Sequence, residues 1–173
     1  MRNSQLNSKP VWVIRAGQMA AAHKLFTENG FIVLADAGLG DLQSLPKERQ
    51  AFYAAYGSRH ATEGRVAIRG IGGKFFRFVH EVHKGDLVLY PCILDKMVYF
   101  GVVTGSYLYD LSLDPDFPHR RKVRWEGSIP KKALSESARR ELGAARTFFG
   151  FTKHIQEIQK AMANRRVARL IKM

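Results

Sequence analysis

The sequence predicts an α+β domain in which a small, mostly antiparallel curved sheet or barrel is flanked by helices. Three observations lead there: short runs of strand length crowd residues 87–125, helical stretches lie before and after them, and long crossovers join the two kinds of segment. With 46% hydrophobic and 11% aromatic residues over 173 positions, one domain with a sizeable core can form.

Val11 to Arg15 reads as a short strand entering Ala16-Gly17. Gln18 to Asn29 holds good helix formers, with Met19, Ala22, Leu25 and Phe26 on one side, and Gly30 sits where a helix C-terminal glycine belongs. Phe31 to Ala35 is an apolar run of strand length, broken by Asp36-Ala37-Gly38. Pro46 opens a helix to about Tyr56, and Gly57 ends it. Residues 65–69 fit strand or helix, and Gly70-Ile71-Gly72-Gly73 reads as a flexible loop. That loop can cradle a phosphate or simply connect two helices, but it matches neither nucleotide-binding fingerprint. Phe75, Phe78, Val79 and Val82 then fall at helical spacing. After the Lys84-Gly85-Asp86 turn the pattern is β: Leu87–Pro91, Met97–Thr104, Tyr107–Asp110 and His119–Trp125, with an irregular, aspartate-rich Asp110–Pro118 segment before the last. Ser135 with Ser137 can cap a helix reaching Leu142. Thr147–Phe151 reads as a strand, and His154–Ala163 as a helix with Ile155 and Ile158 inward. The domain organisation that follows is an N-terminal extension (1–10), one domain (11–163) and a basic C-terminal extension or linker (164–173).

Charge points toward an anionic partner. There are 28 Lys and Arg against 15 Asp and Glu, a net +13 with a pI near 10.2. In His119-Arg-Arg-Lys-Val-Arg-Trp125, a period of two puts Arg120, Lys122 and Arg124 on one face and His119, Arg121, Val123 and Trp125 on the other. The first face suits a phosphate backbone, with Lys131 and Lys132 continuing it, and the second suits part of a pocket. A basic strand also serves simply to discourage edge-to-edge aggregation.

Other classes find less support. Cys92, the single cysteine, excludes an intramolecular disulfide and a multi-cysteine zinc site, so a cytoplasmic location is the simplest expectation. No apolar run approaches a membrane span and no signal peptide is read, so no membrane partner is expected. Asp110, Asp114 and Asp116 form the only acidic cluster, without a downstream Glu-x-Lys partner, and the six histidines lack zinc-ligand spacing. No catalytic residue, metal or cofactor is therefore assigned.

Five segments in this order resemble a known family: Val11–Gly17; Gly30-Phe31-Ile32 leading to Leu39-Gly40-Asp41-Leu42; Phe78-Val79 to Lys84–Val88; Gly101–Gly105; and His119–Trp125. Together they look like the EVE-type, PUA-like domain, in particular the N-terminal specificity domain of Mrr-type and McrBC-type modification-dependent restriction systems, distant relatives of the YTH readers of methylated RNA. The resemblance runs from about Val11 to Ala163. It implies a PUA-like barrel in which a modified nucleobase lies in an aromatic-lined pocket, walled in part by the ends of the first two strands, Arg15-Ala16-Gly17 and Ala35-Asp36. Many relatives carry a tryptophan near the end of the second strand, where this chain has Asp36. A carboxylate there can accept from an exocyclic amine or can be a solvated turn residue.

Residue chemistry suggests the remaining walls, because enclosing an extruded base needs two or more aromatics. Tyr107 and Tyr109 precede the aspartate-rich loop, Phe117 ends it and Trp125 closes the next strand. Each also has a structural reading: Trp12 and Trp125 as core aromatics, the two tyrosines as one face of a half-buried strand, His119 as a hydrogen-bonded structural group, and Asp41 and Asp86 as turn residues. The expected function is a non-enzymatic module that binds double-stranded DNA carrying a methylated or hydroxymethylated base, by base flipping, with cleavage left to a separate nuclease domain or subunit. The alternatives are a reader of modified RNA and a metal-dependent nuclease using the aspartate loop.

Overall fold

The apolar runs pair into one seven-stranded sheet in the computed structural model, which describes residues 9–171 and side chains as far as Arg165. The strands are β1 (Val11–Ile14), β2 (Phe31–Leu34), β3 (Leu87–Pro91), β4 (Met97–Val103), β5 (Leu108–Tyr109), β6 (His119–Pro130) and β7 (Phe148–Phe151). Their order is β2-β6-β4-β3-β1-β7, with β5 also on β6. β1 pairs with β3 in parallel, and the other described ladders are antiparallel. The sheet curls strongly into a half-barrel flanked by helices, the mixed α and β architecture that the sequence predicts.

Both sheet faces are covered, which explains why β1 is apolar at every position. Trp12, Ile14, Val88, Tyr90 and Val123 meet Phe26 of α1 (His23–Thr27), Phe52 of α2 (Arg49–Arg59), Phe75 of α3 (Arg65–Phe76) and Phe78 of the π turn Arg77–Glu81. The alternate residues Val11, Val13, Leu89, Phe100 and Ile129 meet Ala138 and Leu142 of α4 (Glu136–Leu142) and Ile158 and Met162 of α5 (Ile155–Ile171). Trp12 is a core aromatic whose Nε1 donates to the buried Asp86 carboxylate at 2.9 Å. Ser135 caps α4 by accepting from the Ala138 N–H. Among the described residues, no helix is long and apolar enough to cross a membrane. α5 continues through residue 163 to Ile171, so most of the expected basic extension is helical; residues 1–8, 172 and 173 lie outside the described residues.

Several local expectations are corrected. The helix expected over Gln18–Asn29 is a three-residue turn (Gln18–Ala20) and then α1 alone, because the Ala22 N–H returns to the Ala16 carbonyl and bends the chain back over the strand end. Pro46 lies in the turn before α2, and Gly57 lies inside that helix. β6 runs on to Pro130, with a bulge opposite Phe100 and Gly101 absorbing the sheet's curl.

The glycine run is neither a phosphate loop nor a connection, since Gly70, Gly72 and Gly73 all lie within α3. A Cβ on Gly72 would sit 2.9 Å from the Tyr53 ring and 3.0 Å from the Phe52 carbonyl, so this glycine lets α2 and α3 approach closely. Gly70 faces open space. Gly72→Ala should therefore destabilise the protein by about 1–3 kcal/mol, whereas Gly70→Ala should stabilise it by up to about 1 kcal/mol through helix propensity. Thermal melting of the two variants checks this, and equal effects would contradict the packing role.

Candidate functional site

The first residues of β6 alternate as the sequence predicts, but both of its leading arginines are buried. Arg121 points into the curl, where its guanidinium donates to the carbonyls of Phe78 and Val79 at 2.7 Å each and of Gly105 at 3.2 Å. Burial lowers its pKa to about 10. Arg120, on the other face, has 0% exposure. It donates to Phe117 O and Asp114 O at 3.0 Å each and pairs with Asp110 at 3.4 Å. Arg120 is thus not one of a row of three phosphate-facing cations. The aspartate-rich loop folds over it, because a buried guanidinium requires acceptors and that loop supplies them. Lys122 and Arg124 remain exposed on this face; Lys122 lies 4.6 Å from the Phe31 ring centroid and Arg124 pairs with Glu126 at 3.3 Å.

The loop held by Arg120 carries Phe117 to the end of β1. A Cβ on Gly17 would lie 3.1 Å from the Phe117 ring, so glycine permits the ring to lie against the backbone. The same strand end carries positive φ at Gly17, Met19 and Ala20, and Met19 is 81% exposed. At the end of β2, Asp36 adopts a left-handed conformation (φ 86°, ψ 66°). Its carbonyl accepts from His119 Nε2 at 2.9 Å, and the Ala37 carbonyl accepts from the Tyr109 hydroxyl at 3.1 Å. Phe117 thus meets Gly17, while Tyr109 and His119, on either side of the same loop, meet the Asp36-Ala37 backbone; Ala35 is exposed and Ala16 is buried.

Other expected pocket residues do not join them. Tyr107 is 5% exposed, and its hydroxyl lies between His119 Nδ1 (2.8 Å) and the Leu42 N–H (3.3 Å), so it supports the site from within the core. Trp125 donates to the Phe26 carbonyl and stacks on Phe26 beside Tyr90 and Tyr99, as a half-buried aromatic packed against the core six residues after His119 on β6. Arg15 turns to the opposite face of the sheet, because side chains alternate along β1, and donates to the carbonyls of Gly143 and Ala144 after α4. Lys131 and Lys132 follow β6 in a turn on that side. The aspartates of the loop hold it together: Asp110 accepts from the Ser112 N–H and Asp114 from the Asp116 N–H. Among the described residues, no group of three or more His, Cys, Asp or Glu is placed to hold a metal ion.

Sequence reasoning missed the polar rim beside Asp36. Its carboxylate lies 3.2 Å from His60 Nε2, and His60 stacks on Tyr56 at 4.1 Å while its Nδ1 lies 3.5 Å from Glu63. Burial and the Glu63 hydrogen bond push the Tyr56 hydroxyl up to about 12. Lys74 lies over the Phe75 ring, where burial lowers its pKa although Asp36 opposes the shift. The His60–Glu63 spacing was the one local signal; the rest depends on α2 and α3 reaching the end of β2.

The hydrogen bonds assign the His119 tautomer. Nε2 faces a carbonyl and must donate, so Nδ1 accepts from Tyr107, whose oxygen in turn accepts from Leu42. Burial lowers the His119 pKa, and the unfolded chain therefore binds the proton more readily. Its stabilising contribution is complete above the unfolded value of 6.5 and is lost as pH falls from there through the lowered folded value. Melting temperature should drop between pH 7.5 and 5.5, and His119→Gln should be less stable at pH 7.5 but show a shallower drop; an unchanged slope would remove His119 from this role.

Among curated proteins, none matches the chain. The model of a family described as a domain of unknown function (DUF8426) matches residues 12–149, most of the chain, and the protein belongs to that family.

Proposed function

We propose that this protein is a non-enzymatic, PUA-like (EVE-type) module that binds double-stranded DNA carrying a methylated or hydroxymethylated base, with the base flipped out of the duplex. Within that reading it is the specificity domain of a modification-dependent restriction system, and a nuclease domain or subunit supplies cleavage. The observation that carries the proposal is that the loop ahead of β6 and its flanks reach both strand ends, Gly17 through Phe117 and the Asp36-Ala37 backbone through His119 and Tyr109. Two aromatics, a carboxylate and a side-chain-free backbone stretch are the parts that enclosure of a planar base requires, and each aromatic face contributes about 1–3 kcal/mol of stacking. In this reading the Asp36 carboxylate accepts from an exocyclic amine. Lys122 and Arg124 lie exposed on the β6 face and serve as phosphate contacts, in a chain of net charge +13. The five-segment resemblance supports the same assignment.

Phe117→Ala and Tyr109→Ala should erase most of the preference for modified over unmodified duplex while leaving non-specific affinity nearly intact. Lys122→Ala with Arg124→Ala should weaken both equally and reduce the salt slope by about 0.9 per lost contact. Flipping has its own signature in fluorescence-anisotropy titrations. A mismatch opposite the modified base lowers the extrusion cost, so affinity should rise, and a fluorescent base analogue beside it should brighten. Weaker binding to the mismatch with a quenched analogue would exclude flipping, and tighter binding to modified single-stranded RNA than to the duplex would reassign the partner.

A further inference from the structure

The sheet face opposite the proposed base site carries a second cluster of cations around two adjoining cavities. One, of about 210 Å³, is lined by Arg15, Lys131 and Arg139 over Pro91, Ile93 and Leu142. The other, of about 570 Å³, shares Lys131 and Arg139 and adds Lys96 and Lys132 over Met97 and Pro130. These five cations come from the end of β1, the β3–β4 turn, the turn after β6 and α4, so the tertiary fold alone assembles them. The assembly is fixed: Lys131 N–H donates to Lys96 O at 3.0 Å, and Arg15 is anchored by two 2.7 Å bonds to Gly143 and Ala144.

Five cations here face one lining carboxylate, Asp95. Among the described residues, none of the five has a carboxylate oxygen within 4.0 Å. The one lining carboxylate, Asp95, is already engaged by Met97 N–H at 2.9 Å and by the Tyr99 hydroxyl at 2.6 Å. Arg15 Nε is buried without a hydrogen-bond partner. Burial lowers the Lys131 pKa and the Arg15 charge adds to the shift, although Cys92 and Asp95 oppose it.

We infer that this groove binds a phosphate group, held by Lys131, Arg139 and Arg15, while the body that carries the phosphate lies on the apolar floor at Pro91 and Ile93. Arg139 offers a forked donor matched to phosphate oxygens, and Arg15, whose Nη2 is held by two carbonyls, adds a fixed positive charge. Lysine adds a compact one, and an apolar floor beside them suits the sugar or base of a nucleotide. The phosphate can belong to a nucleotide or to the backbone of a nucleic acid. The inference stands apart from the base-reading proposal, because Phe117 and Gly17 lie at the other site.

Isothermal titration of the full chain with AMP and with a thymidine octamer bearing a 5′-hydroxyl separates the two sources. Binding of AMP identifies a terminal-phosphate site, binding of the octamer alone identifies a backbone-phosphate site, and either supports the inference if Lys131→Gln with Arg139→Gln weakens it at least tenfold. The control is Arg65→Gln with Arg69→Gln, which removes the same charge from exposed positions on α3 and should change affinity less than twofold. Melting curves establish that both double variants are folded; Arg15 is left intact because it also holds the end of α4. No binding of either probe, or equal weakening by both double variants, would overturn the inference.

Discussion

Two adjacent guanidinium groups, Arg120 and Arg121, enter the interior on opposite faces of β6, and the parts of the molecule around them are arranged to satisfy them. A buried cation without acceptors is far too costly to persist, so backbone carbonyls must be brought to it. Arg121 gathers the π turn and the β4–β5 connection through Phe78, Val79 and Gly105. Arg120 gathers the aspartate-rich loop through Asp110, Asp114 and Phe117. Each arginine ties irregular segments to the most widely paired strand. The loop is irregular in sequence yet held in place, and its last aromatic, Phe117, is delivered to the end of β1.

The same device explains how the proposed site is preorganised. His119 leads β6, and its Nε2 fixes the carbonyl of Asp36 in a left-handed conformation that an L-residue adopts at some cost. Tyr107, one strand away, fixes the other ring nitrogen. A chain of hydrogen bonds thus runs from Leu42 through Tyr107 and His119 to Asp36, with one direction of donation, and it holds only while the imidazole is neutral. The Asp36 backbone is thus held through His119, while its carboxylate is contacted by His60. Tyr107, a wall candidate in the sequence, is buried and holds His119 instead.

Charge shows a similar division. Six cations lie between Arg120 and Lys132 in the sequence, but they serve three purposes in space. Arg120 and Arg121 organise the fold, Lys122 and Arg124 face solvent on β6, and Lys131 and Lys132 join Arg15, Lys96 and Arg139 on the opposite side. The surface is therefore less basic along β6 than the run suggests, and more basic where α4 meets the sheet.

Periodicity and composition determined the class of fold, most strand positions, the capped start of α4 and the core status of Trp12, because a two-residue alternation or a serine cap acts through neighbours close in the chain. Period also determined which residues of β6 share a face. It could not say that the face bearing Arg120 would be roofed by a loop, since burial depends on what packs above. It misread the α3 glycines, because a glycine that admits a neighbouring helix and one that loosens a loop look alike until Tyr53 is placed 2.9 Å away. The rim of His60, Glu63 and Lys74 around Asp36, and the groove of Arg15, Lys131 and Arg139, were decided only by the tertiary structure. Asp36 and Lys74 lie far from His60 and Glu63 in the chain, and Arg15 far from Lys131 and Arg139, so no local pattern encodes meetings that the packing of helices on the sheet brings about.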